Sequence, residues 1–170
     1  MKITKDQLKG WAACRDGYEW FLSRFPDGEA EYQDVLNALA KDDRPTDAHW
    51  LMDHAGPDRE AVLEVKVITD CKHFFAAGRL VIKTSATVAG WLCAGEGIKA
   101  GWGIEAGEGI KAGWGIEAGG SIEAGEGLGI FAGLRLRLAD WSIYARVIAK
   151  TKPHNLVSGS WVESAAEALA

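Results

Sequence analysis

The chain is poor in most of the residues that announce a chemistry. Among its 170 residues there are 3 cysteines, 4 histidines, 4 prolines and 2 methionines, and its 19 basic side chains are outnumbered by 24 acidic ones. Cys14, Cys71 and Cys93 are far apart and form no Cys-x-x-Cys pair, which argues against a disulfide framework or a thiolate metal site and for reduced thiols serving as small buried hydrophobes. The basic deficit leaves no footprint for direct nucleic-acid binding. No run approaches the roughly 18 apolar residues of a membrane span, and Met-Lys-Ile-Thr-Lys-Asp leads straight into charge, so no secretory core follows it and a cytoplasmic location is expected.

The histidines are equally sparse as chemistry. His49 and His54 are five apart, poorly placed for one helix face, and no His/Cys/Asp cluster has metal-ligand spacing. His73 and His154 stand alone, and a lone His is read as a surface or satisfied structural residue. No catalytic residue, cofactor or metal is therefore expected, and the chain reads as a non-enzyme.

What the chain has in excess is glycine, tryptophan and order. Fifteen of 21 glycines fall between Gly90 and Gly133. Within that stretch Ile98, Ile104, Ile110, Ile116, Ile122, Leu128 and Leu134 recur every sixth residue, in units such as Ile98-Lys99-Ala100-Gly101-Trp102-Gly103. In an extended chain Ile and Ala face one way and the Lys or Glu between them faces the other. Flanking glycines permit a sharp corner, positive φ included. One unit is too small to be stable alone, and stacked units make a solenoid with Ile and Ala along the axis. A flexible linker has no reason to keep this period. The phase runs back through Leu92, Ala86, Leu80, Phe74 and Ile68. Eighteen residues per coil places Lys99 over Glu117; twelve stacks Trp102 on Trp114 but also Lys99 on Lys111, and stacked like charges favour the three-faced coil.

The flanks differ. Thr4-Lys5-Asp6-Gln7 fits a capping box, Asp16-Gly17 reads as a break, Pro26-Asp27-Gly28 as a turn, and Thr46 as the cap of a fourth helix ended by Gly56-Pro57. After the repeat, Leu134-Arg135-Leu136-Arg137-Leu138 and Trp141 to Val147 alternate like strands. The expectation is an α+β protein: a small N-terminal helical bundle (1–57), a β-solenoid (β-helix) with a strand-rich C-terminal end (58–152) and a peripheral tail (153–170).

The run from Ile98 to Gly133 resembles hexapeptide-repeat β-helices and bactofilin-like β-solenoids. The opening Leu8-x-x-Trp11-x-x-Cys14-x-x-Gly17-Tyr18-x-Trp20-Phe21 is similar to helical modules of phage and mobile-element proteins. Hexapeptide β-helices are best known as acyltransferases with a His base, a reading that here would fall on His73. The second resemblance implies a phage or mobile-element setting.

Charge points to surfaces instead. Residues 1–58 hold 7 basic and 12 acidic side chains, and residues 86–133 hold only Lys99 and Lys111 against six Glu. Glu96, Glu105, Glu108, Glu117, Glu123 and Glu126 would project from a rigid frame beside Trp102 and Trp114, the aromatic type that dominates interface hot spots. These eight residues are the expected partner-binding set, with a solubilising coat as the plain alternative. The expected function is a protein-binding factor, in its sharpest form an anti-CRISPR-like inhibitor occupying the nucleic-acid surface of a host defence complex. The alternative is a self-assembling structural solenoid, a homo-oligomer.

Overall fold

The computed structural model describes residues 1–125 and 128–164. The chain opens with β1 (Lys2–Thr4), α1 (Lys5–Gly10), α2 (Arg15–Arg24), β2 (Glu29–Glu31), α3 (Tyr32–Lys41) and α4 (Pro45–Ala55). The capping box is present: the Gln7 amide N–H donates to Thr4 Oγ1 at 3.3 Å, and the Thr4 N–H donates to Gln7 Oε1 at 2.8 Å. Thr4 also ends β1, which pairs antiparallel with β2, a pairing that two three-residue segments gave no pattern to reveal.

Two expected boundaries move. Gly17 does not break a helix, because Cys14 caps α2 through its Sγ, which accepts the Gly17 N–H at 3.3 Å. Cys14 is accordingly exposed, unlike buried Cys93. Thr46 is not a cap, because Pro45, with φ preset for a first turn, starts α4 and makes Arg44 the cap, two residues earlier. Gly56 does end that helix, at φ +74°.

From Val62 the chain winds as strand triplets. The first coil is β3 (Val62–Val65), β4 (Ile68–Cys71) and β5 (Phe74–Ala76), and the second is β6 (Arg79–Ile82), β7 (Ala86–Val88) and β8 (Trp91–Ala94). The third is β9 (Ile98–Ala100), β10 (Ile104–Ala106) and β11 (Gly109–Ala112), and the fourth is β12 (Ile116–Ala118), β13 (Ile122–Ala124) and β14 (Gly129–Phe131). After an excursion holding α5 (Trp141–Tyr144), β15 (Arg146–Ala149), β16 (Leu156–Ser158) and β17 (Ser160–Glu163) complete the stack. Three parallel sheets result: β3-β6-β9-β12-β15-β17, β4-β7-β10-β13 and β5-β8-β11-β14-β16. At strand spacing the six-stranded sheet is roughly 24 Å tall.

Register fixes the coil. Leu80 lies opposite Ile98 and Ile98 opposite Ile116, so a coil takes 18 residues, and Lys99 Nζ sits 3.1 Å from Glu117 Oε1. Ile98, Ile104, Ile110, Ile116 and Ile122 line the axis at 2% exposure or less, with Ala100, Ala106, Ala112 and Ala118 beside them. Burying each isoleucine contributes about 1.5–3 kcal/mol. The backward phase holds, with Ile68, Leu80, Ala86 and Leu92 in the same core and Phe74 packed against it.

Forwards the phase fails. Leu128 and Leu134 are 45% and 53% exposed. Ile130 stands opposite Ile110 instead, and Val147 takes the place opposite Ile116. The cause is local: β14 enters the stack two residues late, and Gly133, at φ +76°, turns the chain out of the coil. The alternating run 134–138 is therefore no strand, because β15 occupies the ladder position beside β12. Residues 141–144 are helical rather than extended.

The segment from 153 is not a peripheral tail as far as it is described. Its alternation pairs β16 with β14 and β17 with β15, Trp161 opposite Val147, after a turn at Gly159. Residues 165–170 lie outside the described part.

The helical part packs on the sheet β5-β8-β11-β14-β16. Phe75, Ala77 and Cys93 join Phe21, Tyr32, Leu36 and Leu51 in one buried cluster. Gln33 on α3 acts as a substitute strand at the edge of that sheet. Its Nε2 donates to the Phe75 carbonyl at 2.7 Å and its Oε1 accepts the Ala77 N–H at 2.9 Å.

Candidate functional site

Three-residue strands and corners distribute the expected partner-binding residues by arithmetic: successive units land on successive faces. Glu105 and Glu123 lie directly opposite each other on β10 and β13, in one rank with Thr87 on β7. All three are exposed, and the strands of this sheet carry no Lys or Arg. Trp102 stands at the corner leading into β10, its N–H on the Thr84 carbonyl and its own carbonyl accepting from Gly120. Threonine and glycine as stacked neighbours leave the indole 70% exposed.

Trp114 is on another corner, between β11 and β12, where its N–H bonds the Glu96 carbonyl. Its ring meets Tyr144 edge-on at 5.6 Å between centroids. Glu96, Lys99, Trp114, Glu117, Tyr144 and Arg146 edge a trough of about 290 Å³. Glu117 there is satisfied by Lys99. Glu108 occupies the third corner, its N–H on the Gly90 carbonyl. Glu126 lies outside the described residues.

The structure thus gathers Trp102, Glu105 and Glu123 at one surface and Glu96, Trp114 and Glu117 at another, with Glu108 in neither. Tyr144 and Arg146 carry no signal in the sequence, because the Trp141–Val147 run alternates as an extended segment does. The excursion also exposes Leu138 and Ile143, and no alternation pattern separates such a loop from a strand.

Two of the four histidines, His49 and His73, turn inward to the junction between helices and sheet, while His54 and His154 are exposed. His73, 3% exposed, accepts the Trp91 N–H on Nδ1 at 3.0 Å, which leaves Nε2–H to donate to Asp43 Oδ1 at 2.9 Å. It is a satisfied structural residue. Asp43 also takes Lys72 Nζ at 2.6 Å, and these two partners hold its carboxyl below the usual range. His49 Nε2 lies 3.4 Å from Cys93 Sγ, and its ring stands edge-on to Trp91 at 4.6 Å. Burial pushes the Cys93 thiol up to about 12, so the pair holds no thiolate at neutral pH.

Burial, with Lys111 and His73 adding to it, lowers His49 to about 4. The unfolded chain takes up this proton near pH 6.5 and the folded protein only near 4, so the stability contributed is full above 6.5 and is lost as pH falls toward 4. Discounted for partial exposure, the loss between pH 7 and 4.5 is about 1.5 kcal/mol. Urea unfolding at both pH values checks this: the wild type should lose that much more than His49→Phe, and equal losses would refute it.

The architecture defines a class: a parallel β-solenoid of 18-residue coils with a helical module docked on one sheet. Within it, residues 1–55 match the family described as YdhT N-terminal domain. No curated protein and no solved structure matches the chain. Among the described residues no helix is long and apolar enough to cross a membrane, and no group of three or more His, Cys, Asp or Glu is placed to hold a metal ion.

Proposed function

We propose that the protein is a non-catalytic binding factor that docks on a basic protein surface through the uncovered sheet β4-β7-β10-β13 and the Trp102 corner. One observation carries this reading. Glu105 and Glu123 are stacked at strand spacing with no cation in their rank, whereas Glu117 one face away has Lys99. Like charges directly opposite are destabilising, and a basic partner relieves that repulsion. Trp102 at the edge supplies the aromatic anchor. In its sharpest form the partner is a nucleic-acid-binding protein of a host defence complex, the acidic rank taking the place of phosphates, in a phage or mobile-element setting.

The test is capture on immobilised protein from a bacterial lysate, with wild type, Trp102→Ala and Glu105→Lys/Glu123→Lys side by side. A retained nucleic-acid-binding protein should be released by added duplex DNA or RNA. It should bind Trp102→Ala with a loss of about 2 kcal/mol and the double reversal more slowly. Retention by all three proteins alike, or of nothing at moderate salt, overturns the reading.

A second reading, end-to-end assembly, is favoured by the first coil. Leu63, Val65 and Phe74 there are only partly buried, and β3 is an unpaired edge. Light scattering after size exclusion separates the two: a monomer at high concentration refutes assembly.

A further inference from the structure

A second site lies where the helical module meets the solenoid. Helix α4 and the sheet beneath it leave a crevice of about 150 Å³, edged by His49 and Asp53 of α4, Cys93 of β8, Lys111 of β11 and Arg135 of the excursion. Lys111 follows Phe75 and Cys93 in the outward rank of its sheet, at the point where the helical cover stops. It is half-buried, its ammonium 4.5 Å from the Trp91 ring centroid and 6.0 Å from that of Phe131. Among the described residues Lys111 forms no ion pair, and the Arg135 side chain makes one hydrogen bond, from Nη2 to the Met52 carbonyl at 2.6 Å. Arg135 is itself exposed, so its side chain is reachable from solvent.

A half-buried ammonium without a counter-ion is an expensive arrangement. Aromatic faces offset part of that cost, and an anion offsets more. Set against Lys111 and Arg135, Asp53, exposed at the rim, leaves the crevice with a net charge of +1. His49 is neutral at pH 7 and adds a hydrogen-bonding nitrogen without charge.

We propose that this crevice binds a small oxyanion, a carboxylate or phosphate group gripped between Lys111 and Arg135. Both chemistries offer the oxygens that an Arg fork and a Lys point charge select. Binding ties β11 to Arg135 through the ligand, and Arg135, bonded to the Met52 carbonyl, carries that tie to the end of α4.

Amide spectra of the ¹⁵N-labelled full chain at pH 7, titrated separately with sodium phosphate and sodium acetate against matched sodium chloride, test this. Gly95 and Gly113 line the crevice and serve as reporters. Their signals should shift saturably with phosphate, with acetate or with both, which tells the two chemistries apart. Lys111→Gln should weaken the effect at least about tenfold, roughly 1.4 kcal/mol, and Lys111→Arg should keep it. Lys111 is the position to change because Arg135 also holds the end of α4, and signals far from the crevice report whether each variant is folded. Shifts that match chloride, or a saturable shift that survives Lys111→Gln at full strength, overturn the proposal.

Discussion

Gly107→Ala is expected to cost at least about 3 kcal/mol, although only one methyl group is added. Gly107 does not have a positive φ, so the strain is not in its own backbone. An added Cβ would fall far inside contact distance of the Ala89 carbonyl, in the coil that precedes it in the stack. That atom cannot rotate away, because coil spacing is set by ladder bonds such as Gly107 N–H to the Val88 carbonyl at 3.0 Å. The same collision recurs at Gly113 over Gly95 and at Gly119 over Gly101. Moving one coil disturbs its neighbours, which puts the substitution in the upper range of overpacking costs. At about 2–4 °C per kcal/mol for a chain of this size, the midpoint should fall by roughly 6–12 °C. Gly10→Ala is the control. No atom lies within 4 Å of its added Cβ, and it sits in α1, where alanine is favoured. Thermal denaturation should show Gly10→Ala neutral or stabilising; if Gly107→Ala behaves the same way, close approach is not what these glycines serve.

Phe75→Ala should be comparably severe, at about 3–5 kcal/mol, but in a different place. Phe75 is 1% exposed and points away from the solenoid axis into the helical cluster, edge-on to His49 at 5.6 Å. Its removal leaves a cavity under α3 and α4 while the Ile ladder stays intact. Helices and solenoid should then lose stability unequally. Limited proteolysis should cut within 1–55 well before the coils, and hydrogen exchange should accelerate there first. A loss below about 1 kcal/mol, or uniform acceleration along the chain, would show that the junction does not depend on this ring.

How far such features can be read in advance depends on whether the cause is local. The six-residue period of Ile98 to Ile122 reveals the axis because each unit repeats the same geometry, and the Lys99–Glu117 pair resolved the coil length through charge alone. The slip at Leu128 was hidden because a leucine happens to keep the period while Ile130 fills the axis. The strand-like alternation at 134–138 misled for a related reason: alternation signals a strand only if a ladder position is free. The helix-covered sheet did leave a trace. Phe74-Phe75-Ala76-Ala77 and Leu92-Cys93-Ala94 are apolar on both sides of their strands, unlike Ile104-Glu105-Ala106, and a strand apolar on both sides is a strand covered on both sides. The distribution of the acidic residues follows from the same coil length: only units three apart share a face, which sets Glu105 against Glu123.

That 18-residue coil makes length a quantised property of this protein. Excising residues 98–115 joins Gly97 to Ile116 and sets Leu80 against Ile116, a pairing chemically the same as the one lost. The rod shortens by one strand spacing, about 4.8 Å, and every downstream side chain keeps its face. Excising a single six-residue unit leaves an equally regular sequence, but it swings the whole C-terminal end round by one face relative to the helices. Growth and shrinkage by whole coils therefore preserve which surfaces look the same way, and changes by single units reassign them.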